Sequence, residues 1–264
     1  MSEVFDNVIC GVDGSEEGLA AARLAARVAS ESGRLAVIAV EDESLAVHAG
    51  WGATAVAEQL EREAATAATA ARIEAGRQHD AEQAVLRGDP IGCLLDQIRT
   101  RGATLVVVGA HGHSRAAGIV LGSVASALLH DAPSAVLLAR PVADVAAWPR
   151  HVVVGLDGSA GSRAALDAAR ALAERFGAEV RTVVATRDRH AEPPKARALD
   201  AGVEEHDADP VDALVVLGEQ ADLLVVGSRG LKGLRALGSV SERVAHQADC
   251  PVLVVRGPSE PEAR

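Results

Sequence analysis

A chain of 264 residues is long enough for one large domain or two ordinary ones, and its 48% hydrophobic content, rich in Val, Leu and Ala, can build a sizeable core. Only 2% of residues are aromatic, which disfavours base stacking, and a formal net charge of -11 repels nucleic acid and anionic membranes. Cys10, Cys93 and Cys250 form no CxxC pair, the acidic start MSEVFDN leads into no signal-length apolar segment, and no apolar run approaches the ~18 residues that span a bilayer; a cytoplasmic protein is expected, with no nucleic-acid or membrane partner.

The first β-branched run, 8–12, ends at Asp13-Gly14-Ser15, a strand-to-turn signal. Ser15 is a natural N-cap, Glu16 and Glu17 lie near the positive end of the helix it opens, and Gly33 is expected to close that helix. RLAVIAV at 34–40 reads as a second strand, followed by an Ala-rich helix around 53–79 that suggests a packed or solvated face. AVLRGDP at 84–90 reads as a third strand whose Asp89-Pro90 caps and starts another helix. TLVVVGAHG at 104–112 is an apolar run that breaks at Gly109 and Gly112, and Gly122-Ser123 opens the helix that leads to AVLLAR.

The chain then says the same thing again. VICGVDGSEEG at 8–18 recurs as VVVGLDGSAGS at 152–162, TLVVVGAHG as DLLVVGSRG at 222–230, and 122–140 as 238–256 without a gap. In the second copy Ser159 is the N-cap, Leu166, Ala169, Ala173 and Phe176 recur at helical spacing, Gly177 closes the helix, and HDADP at 206–210 repeats the Asp-Pro device with Asp209 and Pro210. The second copy is shorter in the middle (157–227 against 13–109), where HAEPPKARALDAG replaces the Ala-rich helix. Domains are expected at 1–142 and 149–257, with a flexible tail at 258–264. Nearly continuous Val/Leu strands alternating with helices imply parallel sheets buried on both faces, with ligands beyond the carboxyl ends of the strands, where Asp13, Val40, Gly109 and their counterparts fall.

Gly109 and Gly112 let backbone approach a ligand at a strand end, and Gly122-Ser123 presents free amides, a helix dipole and a hydroxyl. Together they describe a phosphate cradle, made locally positive by His111, His113 and Arg115. Asp13 also fits a plain Asp-Gly corner, and Ser123 a plain helix cap. His111 and His113 lack a third nearby ligand, so no metal site is expected. His130 and His246 sit near the ends of their helices, where dipole and carbonyl contacts explain them, and Cys250 reads as a small hydrophobe. The turn after the first strand is not the dinucleotide G-x-G-x-x-G, and no Walker G-x-x-x-x-G-K-[ST] or S-G-G-x-D-S loop is present. No Ser-His-Asp or paired-carboxylate cluster surrounds the glycines, so binding rather than catalysis is expected.

The pattern G-x-x-G-x9-G-[ST] with an Asp ending the first strand resembles the universal stress protein family, and its two copies cover the whole chain. The resemblance implies α/β architecture: two Rossmann-like open parallel five-stranded sheets flanked by helices, packed as an internal pseudo-dimer. It implies ATP binding in members that keep the full glycine motif, here with Mg2+ as companion ion. Carried over by position, Val12, Asp13 and Val40 would lie near the adenosine. Val108, Gly109, His111, Gly112, Gly122, Ser123 and Val124 would hold ribose and phosphates. The second copy keeps Asp157, Val184, Gly227, Gly230, Gly238, Ser239 and Val240, but only seven residues separate Gly230 from Gly238, against nine between Gly112 and Gly122. Its loop offers Arg229, Lys232 and Arg235 instead, so a tighter site is expected in the first copy. The final strands AVLLAR and PVLVVR resemble the family's dimer-forming edges, from which a homodimer is expected, alongside an unnamed protein partner. A stress-response protein that regulates through bound ATP is therefore the reading; the alternatives are one that acts through protein surfaces without nucleotide, and a slow ATPase.

Overall fold

A computed structural model describes residues 5–42, 53–75, 81–112, 121–186, 194–228 and 239–257. They divide into two compact units, one of Phe5–Leu128 with Leu138–Pro141 and one of Leu129–Leu137 with Val142–Arg264. The unit boundary therefore falls inside the end of one helix and the middle of the following strand.

The N-terminal repeat contains β1 (Asn7–Val12), α1 (Glu16–Val28), β2 (Arg34–Asp42), α2 (Ala53–Ala75), β3 (Glu82–Gly88), α3 (Pro90–Arg101), β4 (Leu105–Gly109), α4 (Ser123–Asp131) and β5 (Ala135–Ala139). Its strands lie in the order β3-β2-β1-β4-β5, and β1 runs parallel to both β2 and β4. The chain winds outward from β1 to β3 and then returns to β4, so the topological switch point lies between β1 and β4. Helices cover the sheet, which is why Val8, Ile9, Cys10, Leu105, Val106 and Val107 are all fully buried and the strands read as apolar runs. The predicted caps form. Ser15 Oγ accepts from Gly18 N at 3.0 Å, and Asp89 Oδ2 accepts from Gly92 N at 2.7 Å with Pro90 opening α3.

One helix end differs from expectation. α1 stops at Val28, where Ala29 N–H still reaches Ala25 O, and Gly33 lies in the loop beyond it. A Cβ on Gly33 would lie 2.9 Å from Asp6 O, so this glycine permits a close passage of two backbones rather than a helix cap.

The C-terminal repeat contains β6 (His151–Gly155), α5 (Ala160–Phe176), β7 (Glu179–Ala185), α6 (Pro194–Leu199), β8 (Glu204–His206), α7 (Pro210–Gly218), β9 (Leu223–Ser228), α8 (Ser239–Gln247) and β10 (Val252–Arg256). The order is β10-β9-β6-β7-β8, the same winding, with the pairings of β6 to β7 and β9, and of β7 to β8, all parallel. Ser159 and Asp209 cap α5 and α7 as the sequence predicts, and Gly177 ends α5 in the left-handed conformation at φ 68°. The short α6 stands where the first repeat has the long α2, and the outer strand β8 shrinks to three residues. Arg256 Nη2 donates to Leu129 O at 2.5 Å and His130 Nε2 lies 3.5 Å from Glu242, which ties the 129–137 segment into this unit. Among the described residues no helix is long and apolar enough to cross a membrane.

Candidate functional site

The end of β1 delivers Asp13 to a turn that the local chemistry locks. Asp13 Oδ1 accepts from Ser15 N at 3.0 Å and from Ser15 Oγ at 2.6 Å, while Ser15 Oγ itself accepts the N–H of Gly18. Cap and carboxylate therefore hold each other at the N-terminus of α1. The other oxygen, Oδ2, faces Gly112: a Cβ there would lie 2.9 Å away. Gly122 lies next in line, its own Cβ position 3.5 Å from Gly112 N, and Gly122 N–H donates to Ala110 O at 2.9 Å. Gly122 O accepts from Ser126 N, so Gly122 is the residue that opens α4, and Ser123 begins it as an exposed first residue. Asp13, Gly112, Gly122 and Ser123, which are scattered in sequence, thus converge at the carboxyl ends of β1 and β4.

A cavity of about 760 Å³ adjoins this point and is shaped by the ends of β1 and β2 and by one side of α2. Val12, Asp13 and Val40 all line it. Leu60, Ala64 and Ala67 of α2 form the facing wall, so the Ala-rich helix builds part of the cavity. Its polar rim is acidic, with Asp13, Glu41, Asp42 and Glu63 against Arg62. Glu41 is only 4% exposed and has the Arg87 guanidinium 2.9 Å from Oε2, although the N–H is not aimed for a hydrogen bond. An acidic, largely aliphatic cavity suits an uncharged ring better than phosphates. The glycines lie on the other side of Asp13 and are not among its lining residues, so Asp13 is the hinge between the two halves of the site.

One residue at the glycine turn has a role that its sequence context conceals. Glu17 folds back from the first turn of α1, and its Oε2 accepts the backbone N–H of His111 at 2.6 Å. The His111 Nδ1 lies 3.0 Å from Oε1 and 3.2 Å from Oε2. The Glu17 side chain is 7% exposed. Gly109 makes the fit feasible, because a Cβ there would lie 2.9 Å from Glu17 Cβ. As a first-turn acid Glu17 reads as a simple helix-dipole residue; the signal that distinguishes it is that the second copy has Gly161 at the same place. Val108 is buried at the end of β4 beside Gly109, and Val124 is half-buried in the first turn of α4. His113 and Arg115 lie outside the described residues.

The second repeat keeps the turn and packs the start of its helix against the strand-end glycine. Asp157 Oδ1 accepts from Ser159 N at 2.9 Å. Burial pushes its carboxyl up, but hydrogen bonds from Ser159 and Ser162 outweigh this and hold it below the usual aspartate value. Gly161 and Gly227 touch backbone to backbone: a Cβ on Gly227 would collide with the carbonyl of Gly161, and one on Gly161 would lie 2.6 Å from Ser228 O. Gly257 presses on the same spot, with a Cβ position 2.9 Å from Gly161 Cα. Val184 and Val240 are half-buried at the expected positions, and Ser239 begins α8. Arg229, Gly230, Lys232, Arg235 and Gly238 lie outside the described residues, so the shorter loop on which the sequence ranking of the two sites rests does too.

Residues 5–140 and 184–256 match the universal stress protein family. A universal stress protein of Mycobacterium tuberculosis is 29% identical, with 96% of each chain covered, and another from the same organism is 33% identical over 66% of this chain and 72% of its own length. A universal stress protein of Archaeoglobus fulgidus has the same fold in its crystal structure, with a TM-score of 0.68, 21% identity, and 95% of this chain and 98% of that one covered. With the paired sheets, the doubled Asp-Gly-Ser turn and these matches together, this chain belongs to the universal stress protein family and carries its repeat twice.

Proposed function

We propose that the N-terminal repeat binds an adenine nucleotide, ATP in the first instance, and that the protein acts in a stress response as a nucleotide-dependent regulator. The observation that carries this reading is the position of Asp13, between an apolar-walled cavity on one side and Gly112, Gly122 and the start of α4 on the other. The cavity has room for a base and ribose, and the glycine side offers helix-start amides to phosphates. The acidic rim supports that orientation, since phosphates would be repelled from it. Asp13 and Glu17 both accept hydrogen bonds from backbone amides, which fits carboxylates that shape a site better than a general base awaiting a proton.

Mass analysis of small molecules released from the purified, denatured protein should return an adenine nucleotide. The site is tested by Gly122→Val with calorimetric titration of ATP, with and without Mg2+. Among the described residues a Cβ at Gly122 meets no atom closer than 3.5 Å, so the variant is expected to fold and to bind ATP at least tenfold more weakly. Equal affinity in the wild type and the variant would remove this assignment.

A further inference from the structure

We infer that Glu17 sets how much negative charge the nucleotide site accepts, so that it holds down affinity for ATP relative to less phosphorylated adenine ligands. This rests on the nucleotide reading above and concerns the phosphate end of the same site. The amide of His111 is a donor of the Gly109–Gly112 turn, the part of the site that would meet phosphates, and Glu17 Oε2 already takes it at 2.6 Å. The contact is built in rather than accidental. The carboxylate is 7% exposed, its backbone is fixed by the Ser15 cap, and Glu17 Cβ lies against the Cα of Gly109 where no other residue would fit.

The charges around it point the same way. Asp13 Oδ2 faces Gly112 from β1, and Glu17 faces His111 from α1 with the His111 ring beside it. Each additional phosphate would bring further negative charge towards this pair of carboxylates. Repulsion between unit charges a few ångströms apart near a protein surface is worth more than tenfold in affinity. An uncharged nucleoside feels none of it. The second repeat has no carboxylate here: Gly161 replaces Glu17, and the backbone of α5 settles onto Gly227 instead. The first repeat thus braces its turn with an acid, and that acid is also a competitor for the ligand's own anion.

The test is calorimetric titration of adenosine, AMP and ATP into the full chain, as wild type, Glu17→Gln and Glu17→Ala. Gln keeps an acceptor for the His111 N–H and removes only the charge; Ala removes both, and thermal melts verify that each variant is folded. Affinity for ATP is expected to rise about tenfold in Glu17→Gln, with a smaller rise for AMP and none for adenosine. An ATP-to-adenosine affinity ratio that stays within about twofold of wild type in both variants, while ATP still binds, overturns the role of Glu17 and leaves the nucleotide reading standing. Failure of all three ligands to bind any of the three proteins overturns both.

Discussion

Glu17 and Gly161 occupy the same place in the two repeats, and the chemistry on either side of them diverges from that single difference. In both repeats the helix start packs tightly on the strand-end glycine, but with an acid its side chain also accepts the amide of the turn, whereas with a glycine the backbones come closer and no side chain reaches the turn. Asp13 and Asp157 show how far the sequence could be read at this scale. Both were legible as turn residues, because Asp-Gly-Ser after an apolar run has few other uses. That Ser15 would clamp Asp13 by both amide and hydroxyl follows from the same three residues. The role of Glu17 was not legible, because a first-turn acid normally interacts with the helix dipole and nothing local reveals that its side chain turns inward. Asp157 yields a pH prediction. Its folded pKa lies below the unfolded value, so its ionised form adds stability above about pH 4, and that stability is lost as the pH falls through the lowered folded pKa. The residue as a whole is solvent-exposed even though its carboxyl is partly desolvated against the helix start, so screening keeps the contribution small, under about 1 kcal/mol. Asp157→Asn should therefore lower the urea midpoint at pH 7 and narrow the gap to wild type towards pH 3. A gap that widens on acidification would contradict the sign.

At the scale of elements, the strands and caps were readable and the cavity wall was not. Val/Leu runs have one good solution, a strand buried on both faces, and Ser15, Asp89, Ser159 and Asp209 announce their helices by side chains that accept orphan amides. Gly33 misled because a glycine after an apolar period resembles a helix end; the long-range passage past Asp6 O that it permits leaves no trace in local sequence. Helix α2 carries an Ala pattern that fixes neither a partner nor an orientation, and only its packing on α1 and β2 shows that Leu60, Ala64 and Ala67 face the cavity. The contact between α5 and β9 supports a sharper prediction. Gly227→Ala places a methyl against the Gly161 carbonyl, where backbone has to move, and should cost about 1–3 kcal/mol as overpacking. A drop in the urea midpoint is the expected result, and an unchanged midpoint would mean that the helix start is looser than described.

At the scale of the whole molecule, the repeats are alike in winding and unlike in what they leave open. The first keeps a cavity walled by α2; the second has the six-residue α6 in its place and a closed glycine contact. The homodimer expected from the final strands is a separate proposal, decided in solution. Light scattering combined with nucleotide absorbance is predicted to give a particle of twice 27.0 kDa with one nucleotide per chain. A 27.0 kDa species would overturn the dimer, and two nucleotides per chain would overturn the asymmetry. The division of the molecule inside α4 and β5 has a consequence for anyone who takes it apart. A cut in the 142–149 linker, the obvious place in the sequence, would leave Leu129–Leu137 on the N-terminal fragment and separate Leu129 O from Arg256. The linker is a seam in the text of the chain and not in its substance: the C-terminal half, excised there, lacks a part of its own body, and the N-terminal half carries that part away as a stray segment.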